Sequence, residues 1–360
     1  MRSDLIVARL PDNPPDGPPP AGKLDDFIAK INQRSGQTYN PDDLSADQKA
    51  KLQQLLQEMF GTPAEPIVHG DDDETKSLAD RLQLQPDKLA AGSHLYKKHC
   101  LQCHGLSGDG RGPTGQWVYP FPRDFRQGIY KYVSSAGSAA RKPTRADLHR
   151  VTAAGIERTS MPAFAMLSEE DRERLVSYTI HLGVRGEVEF RLMRGILSHN
   201  NDMDDDLAAE LRSALKIVLQ QWVNADGEAI APSSIPTPDD PNLRVADSHL
   251  ESVRRGQKLF ANTAVGCISC HVDYGRQSRY LYDAWGSSVR STDLTEGAYR
   301  GGKQPIDLYQ RIKGGIGPSG MPAATSLTEA ETWDLVHFIL ALPAPSMLPP
   351  DVRQQVYPGR

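Results

Sequence analysis

Apolar residues recur at helical spacing in several separated stretches of the chain. In "SADQKAKLQQLLQEMF", Leu52, Leu55, Leu56 and Phe60 fall on one face. Ser45, three residues before Gln48, forms a capping-box pattern at its start. "GTPAEPIVHG" then breaks the helix, and the acid run at 71–74 reads as a solvated loop. In "DDDLAAELRSALKIVLQQWV", the stripe is Leu207, Leu211, Leu215, Val218 and Trp222, with acids 204–206 at the positive end of the dipole. A calcium loop there would need a glycine and spaced ligands, which are missing. Two more helices begin behind capping residues: "LSEEDRERLVSYTIHL" behind Ser168 and "LTEAETWDLVHFILAL" behind Thr328. Two others, "AGSHLYKKHC" and "SVRRGQKLF", each place a glycine one turn before an aromatic, Gly92 before Tyr96 and Gly256 before Phe260. Glycine on such a face lets a second helix approach closely.

These elements belong to an internal repeat. "RADLHRVTAAGIERTSMPAFAMLSEEDRERLVSYTIHL" aligns with "PIDLYQRIKGGIGPSGMPAATSLTEAETWDLVHFILAL" at a constant shift of 160. Leu148 pairs with Leu308, Gly155 with Gly315, Met161-Pro162 with Met321-Pro322, and Tyr178 with Phe338. Upstream, "RDFRQGIYK" parallels "STDLTEGAYR" at a shift of 169. The chain therefore divides into an extension with one short helix (1–87), a first unit (88–185), a helical linker (186–246), a second unit (247–345) and a tail (346–360). "GEAIAPSSIPTPDDPN" reads as loop within the linker by its Pro, Ser and Asp content. The fold expected is mainly α.

Charge narrows the function classes. The net charge of −5 with no basic stripe speaks against nucleic-acid binding. No apolar run approaches a membrane span, and "LIVA" near the start is too short for the core of a signal peptide. All four cysteines fall in two short motifs, "CLQCH" from Cys100 and "CISCH" from Cys267, leaving none for a structural disulfide.

Two thiols and an imidazole within five residues suit three chemistries. A zinc site needs four ligands close in space, but 163 residues separate Cys103 from Cys267, and each pair sits in its own repeat. A thioredoxin-like dithiol would lie between a strand and a helix, and it leaves the histidines His104 and His271 unused. Covalent haem attachment uses every position: two thiols for the vinyl groups of the porphyrin and a histidine placed beneath the iron. A sixth ligand is then expected. Met161 lies 57 residues after His104 and Met321 lies 50 after His271, each followed by a proline that restricts the loop. A lone methionine is ordinarily core filler, but this one recurs at one repeat position.

Each repeat resembles a class I cytochrome c domain, through the glycine–aromatic opening helix, CxxCH, the Met-Pro loop and the aromatic of the closing helix. The resemblance implies two tandem domains of that fold. It implies haem attachment at Cys100, Cys103, Cys267 and Cys270, with axial ligation by His104, Met161, His271 and Met321. It implies helix crossings at Gly92/Tyr96–Tyr178 and Gly256/Phe260–Phe338. A carbonyl in "GRGP", at Pro113, is expected to accept the N–H of His104; the second unit has no such proline between His271 and Thr292. "YPFPRDFRQGIYKY" resembles a loop of dihaem c-type subunits of bacterial respiratory systems, which brings Arg111, Arg123 and Tyr130 forward as partners of haem propionates, against the default of an exposed arginine. The three extra residues between Phe260 and Cys267 suggest that the second opening helix ends early. His69, His94, His99, His149, His181, His199, His249 and His337 are read as surface or ordinary core residues.

The function implied is electron transfer through two haems c, between redox protein partners or within a respiratory complex. Membrane association would come through a removed N-terminal anchor or a partner subunit, and the location implied is periplasmic or otherwise extracytoplasmic. The competing class is a dihaem oxidoreductase, peroxidase-like or thiosulfate dehydrogenase-like. It needs an iron with an open or unusual distal position, against which the two Met-Pro loops speak.

Overall fold

The computed structural model describes residues 43–118, 120–136, 141–198, 207–235, 247–278, 280–283 and 288–359. The acids at 204–206, His199 and the linker from 236 onward lie outside the described residues. Helices dominate: α1 (Ala46–Phe60), α2 (Asp73–Arg81), α3 (Pro86–His99), α4 (Leu101–His104), α5 (Arg145–Ala154), α6 (Glu169–Ser198), α7 (Leu207–Gly227), α8 (Asp247–Ala261), α9 (Cys267–Cys270), α10 (Pro305–Gly314), α11 (Glu329–Ala341) and α12 (Pro350–Val356). One antiparallel hairpin, β1 (Tyr280–Tyr282) against β2 (Ser288–Arg290), completes the set, with Leu281 opposite Val289.

Two apolar cores organise these helices. The first gathers α1, α2, α3, α6 and α7. Leu52, Leu56 and Phe60 of α1 are fully buried in it, as are Leu215, Val218 and Trp222 of α7. Burying each such side chain stabilises the fold by about 1.5–3 kcal/mol. The residues before and after the first unit are thus part of its core. The closing helix α6 runs on through Val184, Val188 and Leu192, all buried, to Ser198. The second core joins α8, α10, α11 and α12, with Val352, Val356 and Tyr357 of the C-terminal segment inside it.

The ends of the helices follow the sequence signals. Ser45 caps α1 in a full capping box with Gln48. Thr328 and Glu331 do the same for α11, and the Ser168 hydroxyl accepts the Asp171 N–H at 3.1 Å. In each unit the opening and closing helices cross at a glycine. A Cβ on Gly92 would lie 2.9 Å from the Cβ of Tyr178, and one on Gly256 would lie 2.8 Å from that of Phe338. The aromatics meet beside the crossing, Tyr96 with Tyr178 at 5.3 Å and Phe260 with Phe338 at 5.6 Å. The opening helix of the second unit stops at Ala261, six residues short of Cys267, whereas α3 runs directly into Cys100.

A polar seam joins the units. Lys131 pairs with Asp283 at 2.6 Å, both buried. Arg150 bridges Asp147 at 3.0 Å and its repeat equivalent Asp307 at 2.6 Å. Arg141 donates to the Gly314 carbonyl. The segment after α7 stitches across the seam: the Ile230 N–H donates to Ser134 (2.8 Å), and the Ile230 carbonyl accepts from Gln310 (3.1 Å).

Candidate functional site

Cys100, Cys103 and His104 share one short turn. The N–H groups of Cys103 and His104 both donate to the Cys100 carbonyl, at 3.2 and 2.9 Å. Gly105, at φ 75°, ends the turn, and the glycine-rich loop folds back beneath it. Gly110 N–H donates to the His104 carbonyl (2.9 Å), Gly112 N–H to Cys103 (3.1 Å) and Thr114 N–H to Gln102 (2.9 Å). Gly112 packs so tightly on the carbonyls of Leu101 and Gln102 that no side chain fits.

The His104 imidazole is buried and stacks on Phe125, with ring centroids 4.5 Å apart and planes inclined by 17°. Its Nδ1 lies 3.1 Å from the Arg123 carbonyl. Donation there leaves the lone pair on Nε2, the tautomer a metal ligand requires. Burial pushes the ring pKa down to about 4, so it is neutral at physiological pH. Burial pushes the Cys100 thiol up to about 12, the reverse of what a reactive redox dithiol needs.

The second unit repeats this arrangement. Cys267 to Cys270 form one turn behind Gly266. His271 Nδ1 lies 3.2 Å from the Thr292 carbonyl, and burial lowers its pKa. Thr292 is Arg123 displaced by the shift of 169 seen in the sequence. The Pro113 carbonyl does not hold His104: Pro113 is exposed, and the Arg123 carbonyl takes the role. The reason is local. The hydrogen bonds of Gly110 and Gly112 tie the glycine loop to the backbone of the CxxCH turn, and the later segment at Arg123 passes beside the ring.

The methionine loops also match. In each unit a glycine ends a helix at positive φ, Gly155 at 68° and Gly315 at 66°. A Cβ on either would press on the methionine-proline backbone, 2.7 Å from the Met161 carbonyl oxygen and 2.6 Å from that of Met321. Ile156 N–H donates to the Met161 carbonyl (3.1 Å) and Ile316 N–H to that of Met321 (2.9 Å). Phe164 N–H reaches the Thr152 carbonyl and Ala324 N–H that of Ile312, both at 3.0 Å. The conserved shift of 160 is thus a pair of matching backbone hairpins.

In the first unit these parts enclose one cleft, with about 1570 Å³ of empty space including its mouth. Cys100, Cys103, His104, Met161, Arg123 and Tyr130 all line it, among apolar walls from Phe121, Phe125, Leu148, Val151 and Phe164. Arg111 and Pro113 are not in the wall. The Tyr130 hydroxyl is buried without a hydrogen-bond partner among the described residues. An apolar slot with thiols and an imidazole on one side, a thioether in its wall and an orphaned hydroxyl fits a flat macrocycle with a polar edge. The residues present therefore fit a haem.

Several members of the wall were not read as site residues from the sequence. His99, read as a surface or ordinary core residue, lies in it, edge-on to Phe164 at 5.9 Å. Arg300 also lies in it, although it belongs to the second unit. Its signal was present: Arg300 occupies the repeat position of Lys131, and Lys131 likewise crosses the seam, to Asp283. His69, His149 and His181 each have a carboxylate or carbonyl neighbour, and His249 packs on His337 at 5.0 Å.

Among the described residues, no helix is long and apolar enough to cross a membrane. Comparison with known proteins agrees with the internal repeat. Residues 87–178 match the family described as cytochrome c oxidase, cbb3-type, subunit III, and residues 253–343 match the family described as cytochrome c. No curated protein matches the chain. A solved chain of the reducing HAO-like protein complex of Kuenenia stuttgartiensis is similar, with 24% identity and a TM-score of 0.47, covering 70% of this chain and 95% of its own. Domains of the two matched families bind haem c and serve haem-based electron transfer. The chain carries two cytochrome c family domains in tandem.

Proposed function

We propose that the chain is an electron carrier with two covalently bound haems c, one in residues 88–185 and one in 247–345. Cys100 with Cys103, and Cys267 with Cys270, would hold one haem each through thioether links from their thiols to its two vinyl groups. His104 and His271 would offer Nε2 to the iron, and Met161 and Met321 their thioether sulfur. Haem held in this way supplies one-electron exchange at a raised potential. The chain's own contribution is to aim four axial ligands, exclude water with apolar walls and support the propionate edge through Arg123 and Tyr130. The carrier works between redox protein partners outside the cytoplasmic membrane, as a component of a respiratory assembly.

One observation carries this reading. Each CxxCH histidine, His104 buried and His271 half-buried, turns its Nδ1 towards a backbone carbonyl at the same repeat position, Arg123 in one unit and Thr292 in the other. Duplicate pinning of an imidazole is what a pair of axial ligands requires.

Intact-mass measurement on natively matured protein tests it. The expected mass exceeds that of the polypeptide by two haems, and the reduced protein binds no carbon monoxide because both axial positions are filled. A mass equal to the polypeptide ends the reading. Carbon monoxide binding, or turnover of peroxide or thiosulfate, transfers the protein to the enzymatic class.

A further inference from the structure

Arg311 buries a guanidinium whose Nε, Nη1 and Nη2 all lack a hydrogen-bond partner among the described residues. The residue is 5% exposed. Burial pushes its pKa down to about 10, which leaves it cationic at neutral pH. A buried cation is costly unless an anion faces it. Two carboxylates lie within its electrostatic reach, Asp147 and Asp307, and both are committed elsewhere. Asp147 accepts on Oδ2 from the Ser134 N–H (2.7 Å), the Ser134 hydroxyl (2.9 Å) and the Thr144 N–H (3.1 Å), and on Oδ1 from Arg150 (3.0 Å). Asp307 accepts from Arg150 (2.6 Å) and the Gln304 N–H (3.0 Å). Neither carboxylate hydrogen-bonds Arg311, so its three guanidinium nitrogens stay open to an acceptor from a ligand.

Position narrows its chemistry. The stem of Arg311 packs on Gly301. A Cβ there would lie 3.1 Å from Arg311 Cδ and 3.1 Å from the Tyr132 ring. Tyr132 and Arg300 are both in the wall of the first unit's cleft. The stem of Arg311 thus packs at the junction of the units, against Gly301, the chain neighbour of Arg300, which already reaches into the cleft. A haem carries its two carboxylates on the edge away from its vinyl groups, so cysteines that anchor the vinyl edge leave the carboxylates to be met elsewhere.

We propose that Arg300 and Arg311, both from the second unit, form a carboxylate seat at the seam that holds haem propionates, so that the first unit's haem is gripped in part by its neighbour. This rests on the two-haem reading above. It makes docking of the units and the redox behaviour of the haem interdependent, because a cation beside a propionate offsets negative charge next to the iron.

Redox titration of the full-length holoprotein tests the seat. Arg300→Gln and Arg311→Gln are each expected to move a haem midpoint to lower potential. Arg311→Lys, which keeps the charge, retains most of the original midpoint. Arg254→Gln on α8, which breaks an exposed ion pair with Asp351 on α12, leaves both midpoints in place. Should Arg311→Gln fail to fold, Arg300→Gln and Arg311→Lys carry the comparison. Unmoved midpoints in the glutamine variants at full haem mass overturn the seat alone. A preparation with no haem mass overturns the seat and the two-haem reading together.

Discussion

His181 shows how a single side chain can be set by its surroundings and not by the repeat. It aligns with Ala341 in the second unit, yet in the first it is 3% exposed. Its Nε2 lies 2.9 Å from the Ile67 carbonyl, and its ring packs against Phe60 and Tyr178 at 5.8 and 5.7 Å. Burial lowers its pKa to about 4. An unfolded histidine titrates near 6.5, so between those values the unfolded chain binds the extra proton and acid favours unfolding. The contribution is complete above pH 6.5 and is lost as pH falls towards 4, to a total of about 3 kcal/mol. Urea unfolding of wild type and His181→Gln at pH 7.5 and pH 4.5 should show the smaller acid loss in the variant. Parallel losses would contradict the assignment. The CxxCH histidines, by contrast, were legible from sequence because spacing alone commits them. Their acceptor carbonyls were not, since a backbone oxygen carries no residue-type signal.

Helix crossings were the most legible elements. Gly92 and Gly256 announced themselves by their spacing to an aromatic, and each lets its helix press on the backbone of the closing helix. Gly256→Val places a branched side chain against Asp334 and Phe338. The helices must separate, at a cost of about 3 kcal/mol to the second unit. Because the two cores share no residues, denaturant unfolding should show the second unit's transition shifted to lower denaturant and the first unit's nearly unmoved. A shift of both to the same extent would mean that the cores unfold as one. What the element scale concealed was destination. The apolar stripes of α1 and α7 were plain in the sequence, but a stripe states only that it must be covered. Both turn out to be covered by the first unit, α1 through Phe60 beside His181 and α7 through Trp222 against Tyr130 at 5.8 Å.

At the scale of the molecule, the seam decides whether two domains act as one body. Lys131 and Asp283 are 9% and 2% exposed, and burial lowers the lysine to about 8 despite its partner. Removing one member of a buried pair costs about 3–5 kcal/mol, because the other charge stays behind. Asp283→Asn should therefore weaken docking, and calorimetry should resolve two transitions further apart than in wild type. Lys131→Met combined with Asp283→Leu should recover most of the loss. A calorimetric trace unchanged by Asp283→Asn would show that the pair does not hold the units together.

The sequence by itself determined what is local or repeated. CxxCH places two thiols and an imidazole on one turn whatever surrounds it. The shifts of 160 and 169 recorded the duplication, down to the glycines that cradle each methionine loop. These properties depend on near neighbours in the chain, where spacing and residue type are sufficient. Only the tertiary structure decided which carbonyls meet His104 and His271, which core receives α1 and α7, and that Arg300 enters the cleft of the other unit. Those contacts join residues far apart in the chain, and the geometry that unites them follows from how two folded units dock.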